Sequence, residues 1–368
     1  MKRLFIAFIC MMMLSIGGET AYGQIKSRQV RKNNKRISNF RGKKRGFGKD
    51  RRYHYFGVTL NALNYFGDLA PLEKFSSTDI SFTRPGFGLF WGHRFGPRYS
   101  LRANFTYGTL RGDDFESADP NDVNARFRYV RNLHFRNRIK ELSVVAVFDL
   151  FKNESSYISR VQFTPYAYGG VAVFHHNPQA FVPVEAQAAN IPEAGTWVDL
   201  EPLGTEGQYS VLDPTDANAG IKPYKKWQFA IPVGLGVRYR LNQVIDLSVE
   251  GGMRFTFTDY LDDVSRNYVD PSVLGSDLAV LMSDLSRQNT ASVSGDLRDL
   301  DNPFIQEIYN NRYDYVGKDG VTYDRIRGFG FESPENVRGN RKENDLYFVT
   351  TVKVAFIIGA SFRKAKFR

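Results

Sequence analysis

The sequence predicts an all-β protein: an eight-stranded antiparallel transmembrane β-barrel with long extracellular loops and a disordered basic N-terminal arm. Three observations carry that prediction. About eight amphipathic segments recur between Tyr53 and Phe362, their connections alternate long and short, and no apolar run of 18 or more residues follows the N-terminal region. Short turns at one end and long loops at the other are the asymmetry of a barrel whose turns face the periplasm. Soluble sandwiches have no reason to sort their loops by parity, so the expected location is the outer membrane. The negative mean hydropathy does not oppose this, because each strand alternates lipid-facing apolar with lumen-facing polar residues. Aromatic residues make up 14% of the chain, which suits two interfacial girdles.

The N-terminus fits an exported protein. Met1-Lys2-Arg3 is a short positive region, Leu4 to Ile16 an apolar run, and Ala21-Tyr22-Gly23 a small-residue exit. These predict a signal peptide over residues 1–23, with Gln24 first in the mature chain. The single cysteine, Cys10, lies inside the apolar run, so the mature chain has no thiol chemistry and needs no disulfide.

The formal charge of +11 belongs to one segment. Lys26 to Arg52 holds 13 Lys or Arg against the single acid Asp50, whereas Tyr53 to Arg368 holds 35 basic and 37 acidic residues. Residues 24–52 therefore read as a self-repelling arm with too few apolar side chains to fold alone. In a periplasmic setting nucleic acid is excluded as its partner. Two readings stay open: a solvated tail against anionic lipid or peptidoglycan, and a docking arm for an acidic periplasmic protein, where charge supplies encounter rate and orientation. The residues assigned to docking are Arg28, Arg31, Lys32, Lys35, Arg36, Lys43, Lys44, Arg45, Arg51 and Arg52.

The barrel follows over residues 53–368. Strand one spans Tyr53 to Phe66, strand two about Ser81 to Phe95, and Gly96-Pro97-Arg98 makes a tight turn. Strand three spans about Tyr99 to Leu110, strand four about Ile139 to Phe151, and strand five about Val161 to Phe174. Strand six alternates Phe229, Ile231, Val233, Leu235 and Val237 with small or charged residues, and strand seven sets Ile245, Leu247 and Val249 against Asp246, Ser248 and Glu250. Alternation sustained over a dozen positions is the strand period. Strand eight, about Asp345 to Phe362, ends Gly359-Ala360-Ser361-Phe362, which resembles a terminal barrel-assembly signal. The same alternation turns Arg102, Glu141, Asp149, Arg238, Glu250 and Arg254 inward, where they are expected to pair as a polar plug in a narrow lumen. Long loops are expected at about 177–223 and 262–344, either ordered as a platform or disordered, with helix around Pro271 to Gln288 from the spacing of Leu274, Leu278, Leu281 and Leu285.

Catalytic chemistry is sparse. His175-His176 at a strand end are the candidates for a lipid-hydrolase base, but no serine at a strained elbow accompanies them. Arg111-Gly112-Asp113 reads as a loop entry, and Gly86-x-Gly88 as a point of strand curvature. Asp259, Asp262, Asp263 and Asp270 are weak calcium candidates, since calcium takes several carboxylate oxygens from a flexible loop, although the spacing is not that of an EF-hand. No zinc spacing, phosphate loop or nucleotide fingerprint is present, and no cofactor is expected.

Asn64-Tyr-Phe-Gly-Asp-Leu-Ala-Pro71, Arg84-Pro-Gly-Phe-Gly, Gly112-Asp-Asp114, Arg131-Asn-Leu-His-Phe-Arg136, Phe163-Thr-Pro-Tyr-Ala-Tyr-Gly-Gly-Val171 and Thr258-Asp-Tyr-Leu-Asp-Asp-Val-Ser265 follow one another along the chain. In kind and order these segments resemble the signatures of the PorG-like outer-membrane barrels. The last segment is shared more widely among related barrels, and the sequence does not separate this chain from PorT-like or PorP-like barrels of the same machinery. The resemblance implies a non-enzymatic component of the type IX secretion machinery, joining the outer membrane to a periplasmic ring of PorK and PorN type. That machinery exports proteins with C-terminal sorting domains and, in gliding bacteria, surface adhesins. The arm and the last loop are longer than a minimal member needs. A small porin or ligand-binding barrel is the alternative, and a lipid-modifying barrel enzyme a more distant one.

Overall fold

The structure, a computed structural model, describes residues 47, 51–70 and 82–358. The expected signal peptide, the arm residues Arg28 to Arg45 and the Gly359 to Phe362 ending lie outside the described residues.

Among the described residues twelve strands are formed: β1 (Tyr53–Phe66), β2 (Arg84–Arg94), β3 (Tyr99–Asp113), β4 (His134–Asp149), β5 (Phe163–His175), β6 (Pro178–Phe181), β7 (Trp197–Asp199), β8 (Trp227–Arg240), β9 (Ile245–Thr256), β10 (Arg312–Val316), β11 (Thr322–Ile326) and β12 (Leu346–Ile358). Eight of them close a ring in the order β1, β2, β3, β4, β5, β8, β9, β12 and back to β1, every pair antiparallel. Each backbone ladder is thereby satisfied without an open edge, the condition for crossing a bilayer with strands. No helix among the described residues is long and apolar enough to cross a membrane.

Side-chain parity sorts the two faces. On β1, Phe56, Val58 and Leu60 are exposed while Gly57, Thr59 and Asn61 between them are buried. Leu60 at 71% and Leu235 at 68% exposure lie on an apolar outer belt that no protein surface covers, which is the face a bilayer would solvate. The lumen is narrow enough to demand small residues: a Cβ added to Gly57 would collide with the Val354 carbonyl oxygen of the neighbouring strand.

Short connections gather at one end. Phe95 and Gly96 both donate backbone bonds to Tyr99 in the β2–β3 turn, and Asn242 Oδ1 accepts from Val244 and Ile245 at 2.9 and 2.8 Å in the β8–β9 turn. The long connections, residues 114–133, 176–226 and 257–345 together with the described ends 67–70 and 82–83 of the first, gather at the other end, as the sequence parity required. They carry four short helices: α1 (Asp114–Ser117), α2 (Arg126–Arg131), α3 (Asp277–Ser283) and α4 (Pro303–Tyr309). The helix expected across Pro271 to Gln288 is thus confined to α3. Asp270 caps a separate short turn at Pro271–Val273, and Asp284 is extended where the helix ends.

The loops are folded and not splayed. Leu261, Val264, Met282 and Leu285 pack with Leu63, Leu133, Phe135 and Tyr347 in one hydrophobic core that runs from the barrel mouth into the loops. A second core joins Tyr129 and Val130 of α2 to Ile305 and Ile308 of α4 and to Tyr268, Ile326 and Phe329. Strands β6 and β7 extend the sheet beyond β4 into this cap. A closed barrel with an apolar belt, turns at one end and a loop-built cap at the other is an outer-membrane barrel.

Candidate functional site

The six inward charges picked out by alternation all lie inside the barrel, and each is paired. Asp149 accepts from Arg94 at 2.5 Å and from Arg238 at 3.2 Å. Arg102 grips both carboxylate oxygens of Glu250, which also meets Lys353 at 2.7 Å and the Tyr166 hydroxyl at 2.6 Å. Glu141 accepts from Arg254 at 3.3 Å and from the Tyr347 hydroxyl at 2.7 Å. Nearer the turns, Arg160 pairs with Asp246 at 2.6 Å and reaches the Gln243 carbonyl at 2.8 Å. Arg94, Lys353, Tyr166 and Tyr347 were not singled out from the sequence, although parity marks them: Lys353 sits between the outward Val352 and Val354.

The cavities left among these side chains measure about 20 and 10 Å³, room for single waters. Charges buried in such a lumen must be paired, since removing an ion from water costs several kcal/mol unless a partner offsets it.

The cap is joined by arginines. Arg131 binds both oxygens of Asp114 at 2.7 and 2.9 Å and donates to the carbonyls of Arg338 and Asp68. Arg298 donates to the Tyr129 and Val130 carbonyls at 2.6 and 2.8 Å, satisfying the last turn of α2 from a distant segment. Arg325 pairs with Asp284 at 2.7 Å, and Arg338 bridges Glu206, Asp263 and the Ser283 carbonyl.

The four calcium candidates are not brought together. Asp263 accepts from Thr205 and Tyr224, Asp270 from Ser272 and Tyr315, Asp259 from Ser265, and Asp262 from Tyr65 and the Val264 amide. Among the described residues no three His, Cys, Asp or Glu side chains form a metal-holding group. His175 faces outward against Trp227, whereas His176 is buried, bonded to the Lys225 carbonyl at 3.1 Å and pushed down to about 4 by burial. Neither is hydrogen-bonded to a serine among the described residues. Arg111 and Asp113 end β3, where Asp113 caps α1. Of the docking residues, Arg51 and Arg52 are described, immediately before β1 at the turn end.

The acids at the barrel mouth give the cap a pH dependence. The single Tyr65 hydroxyl lies 2.7 Å from both Asp262 and Asp345, so one of the two carboxyls must hold a proton for both contacts to be hydrogen bonds. Burial raises Asp262 and Asp345 well above the usual range, and the neighbouring charges of Asp68, Asp259 and each other add to this. Burial also raises Asp259 to about 8 and Asp263 to about 6. A carboxyl whose pKa rises on folding binds more protons in the folded state. Its contribution is therefore complete below about pH 4 and is lost as pH climbs through the raised values. Limited proteolysis of the 257–345 connection is expected to accelerate from pH 5 to pH 8.5. The slope should stay below tenfold per pH unit per proton, because Asp259 is partly solvated, and Asp259→Asn should flatten the upper part of the curve. A rate independent of pH after correction for the protease would refute this.

Residues 48–194 match a family described only as a domain of unknown function, DUF6089. No curated protein matches the chain. Among solved structures it is similar to the outer-membrane protein OprG from Pseudomonas aeruginosa, at 8% identity and TM-score 0.33 over 85% of this chain and 99% of that one. Neisserial surface protein A is similar at 8% identity and TM-score 0.32, over 82% and 96%. The attachment invasion locus protein Ail of Yersinia pestis is similar at 5% identity and TM-score 0.29, over 83% and 97%. The barrel itself rests on the strand pairing described above, independent of these likenesses.

Proposed function

We propose that this chain is a non-enzymatic outer-membrane barrel of the type IX protein secretion machinery, which ties the membrane to a periplasmic ring of PorK and PorN type. The ordered series of PorG-like segments supports the family reading. The observation that carries the anchoring role is the direction of entry: the chain enters β1 at the short-turn end, with Arg51 and Arg52 at that threshold. The cationic residues before them are assigned to the periplasmic contact. The lumen, filled by paired charges with only water-sized gaps, favours a scaffold over a small porin or ligand-binding barrel.

The test is a tagged pull-down from detergent-solubilised envelopes, comparing the full-length protein with a variant lacking residues 25–52. The expected result is recovery of the ring by the full-length protein and loss of most of that recovery on deletion, with barrel assembly unchanged. Equal recovery by both would move the contact to the periplasmic turns. A folded barrel that recovers no ring in either form would overturn the assignment and bring single-channel recording to the front.

A further inference from the structure

Above the apolar belt on β4 the outward face changes character. Leu142, Val144 and Phe148 are exposed in the belt, and the next outward positions toward the cap are Lys140, Arg138 and Arg136. Their inward neighbours Asn137, Ile139 and Glu141 are almost fully buried, which fixes the orientation of the three cations toward the surroundings of the barrel.

The described acids flanking this ladder are already engaged. Asp113 and Glu116 pair with Arg111, Asp199 accepts from Gln179, and Glu201 pairs with Lys226. Arg138 and Lys140 make no hydrogen bond or ion pair with any described residue. Arg136 is held flat, its guanidinium 3.8 Å from the centre of the Trp197 ring and its Nε bonded to Gln179. The register places His175 beside Lys140 and Trp227 beside His175, so the lower rung has an aromatic flank. Aromatic rings at that level are typical of a membrane–water interface.

Unpaired like charges on adjacent rungs repel one another, and an external anion bridging them would relieve that repulsion. Height identifies the anion. Two same-face steps along a strand rise about 13 Å, or about 10 Å after barrel tilt, whereas a phospholipid headgroup layer is about 5–8 Å deep. The ladder therefore rises past phospholipid headgroups, on the loop side of the barrel, which faces outside the cell. We propose that Arg136, Arg138 and Lys140 form a binding site for the phosphorylated headgroup of an outer-leaflet glycolipid. Guanidinium and ammonium groups engage its phosphates, and the Trp197-stacked Arg136 supplies a pre-oriented fork. The site would keep a bound lipid at the β4–β5 side of the barrel, under the cap.

The experiment uses the full-length protein in neutral detergent. Retention of bisphosphorylated lipid A is measured by native mass spectrometry against fully dephosphorylated lipid A and against phosphatidylglycerol. Wild type is expected to retain the bisphosphorylated form best. The double variant Arg138→Gln, Lys140→Gln should weaken that binding about 20-fold, as expected for removing two cations from an anionic headgroup. Lys152→Gln with Lys318→Gln, which removes two exposed cations elsewhere, should leave it unchanged. Equal retention of the dephosphorylated lipid, preference for phosphatidylglycerol, or wild-type affinity in the ladder variant would each overturn the proposal. Because the lipid comparison is made on wild type, it stands even if the double variant assembles poorly.

Discussion

Replacing Glu250 with alanine is expected to abolish stable assembly of the barrel. The carboxylate is 2% exposed and receives Arg102, Lys353 and the Tyr166 hydroxyl. Removing it leaves two cations buried in the lumen with no counter-charge, and Arg102 retains only the face of Tyr168, at 5.3 Å, beside it. Breaking a buried pair from one side costs about 3–5 kcal/mol, more than a hundredfold in the folding equilibrium. The readout is the heat-modifiable folded band on a gel. Glu250→Gln keeps the shape and some hydrogen bonding and should lose less. The decisive companion is the triple variant Glu250→Met, Arg102→Met, Lys353→Met, which removes all three charges together. Buried ion sets can be replaced by apolar side chains of similar volume at little cost, so this variant should recover much of the lost folding. If alanine alone assembles like wild type, the paired lumen contributes nothing to stability.

That experiment addresses the part of the protein that could be read from its sequence. Alternation in β8 and β9 needs no knowledge of neighbours, because a strand's two faces are defined by its own parity. The same rule put Glu250, Arg254 and Asp149 in the lumen. It faltered where the outward face stopped being apolar. β4 begins at His134 and not near Ile139, and the missed turn of strand is the one carrying Arg136 and Arg138 outward. A charged outward face looks like a loop in sequence, yet here it is strand that rises above the apolar belt.

The cap was legible mainly as length, the leucine spacing that marks α3 being the exception. Its helices have four to seven residues, too few to display a helical period, and their stability comes from contacts far apart in the chain. Arg298 completes α2 from about 170 positions away, and the hydroxyl of Tyr65 meets Asp262 and Asp345 from opposite ends of the barrel sequence. The acidic run Asp259 to Asp270 illustrates the difficulty. Its density of carboxylates suggests a cation loop, but apart from the local donor Ser265 the hydroxyls that bind them come from Tyr65, Thr205, Tyr224 and Tyr315, about 40 to 200 positions away.

Arg338→Met is expected to open the cap while leaving the barrel closed. The guanidinium is 2% exposed and ties the 176–226 connection, through Glu206, to two distant points of its own 257–345 connection, the carboxylate and carbonyl of Asp263 and the Ser283 carbonyl at 3.2 Å. None of these groups belongs to a barrel strand. Methionine fills much of the space but leaves Glu206 and Asp263, both fully buried, without their cation. Glu206 keeps the amides of Ser265 and Arg266, at 2.9 and 3.0 Å, and Asp263 keeps Thr205 and Tyr224. The cost should therefore fall at the lower end of the ~3–5 kcal/mol range for a half-broken buried pair. The measurement is protease cleavage within residues 176–226 and 257–345, read beside heat-modifiability of the same sample. Cleavage with a retained folded band would make the cap a separately stable layer on the barrel. Loss of both together would mean that the core shared by Leu63, Tyr347, Leu261 and Met282 couples cap and barrel into one cooperative unit. Wild-type resistance in the variant would assign the cap's cohesion to that apolar core and not to the arginine network.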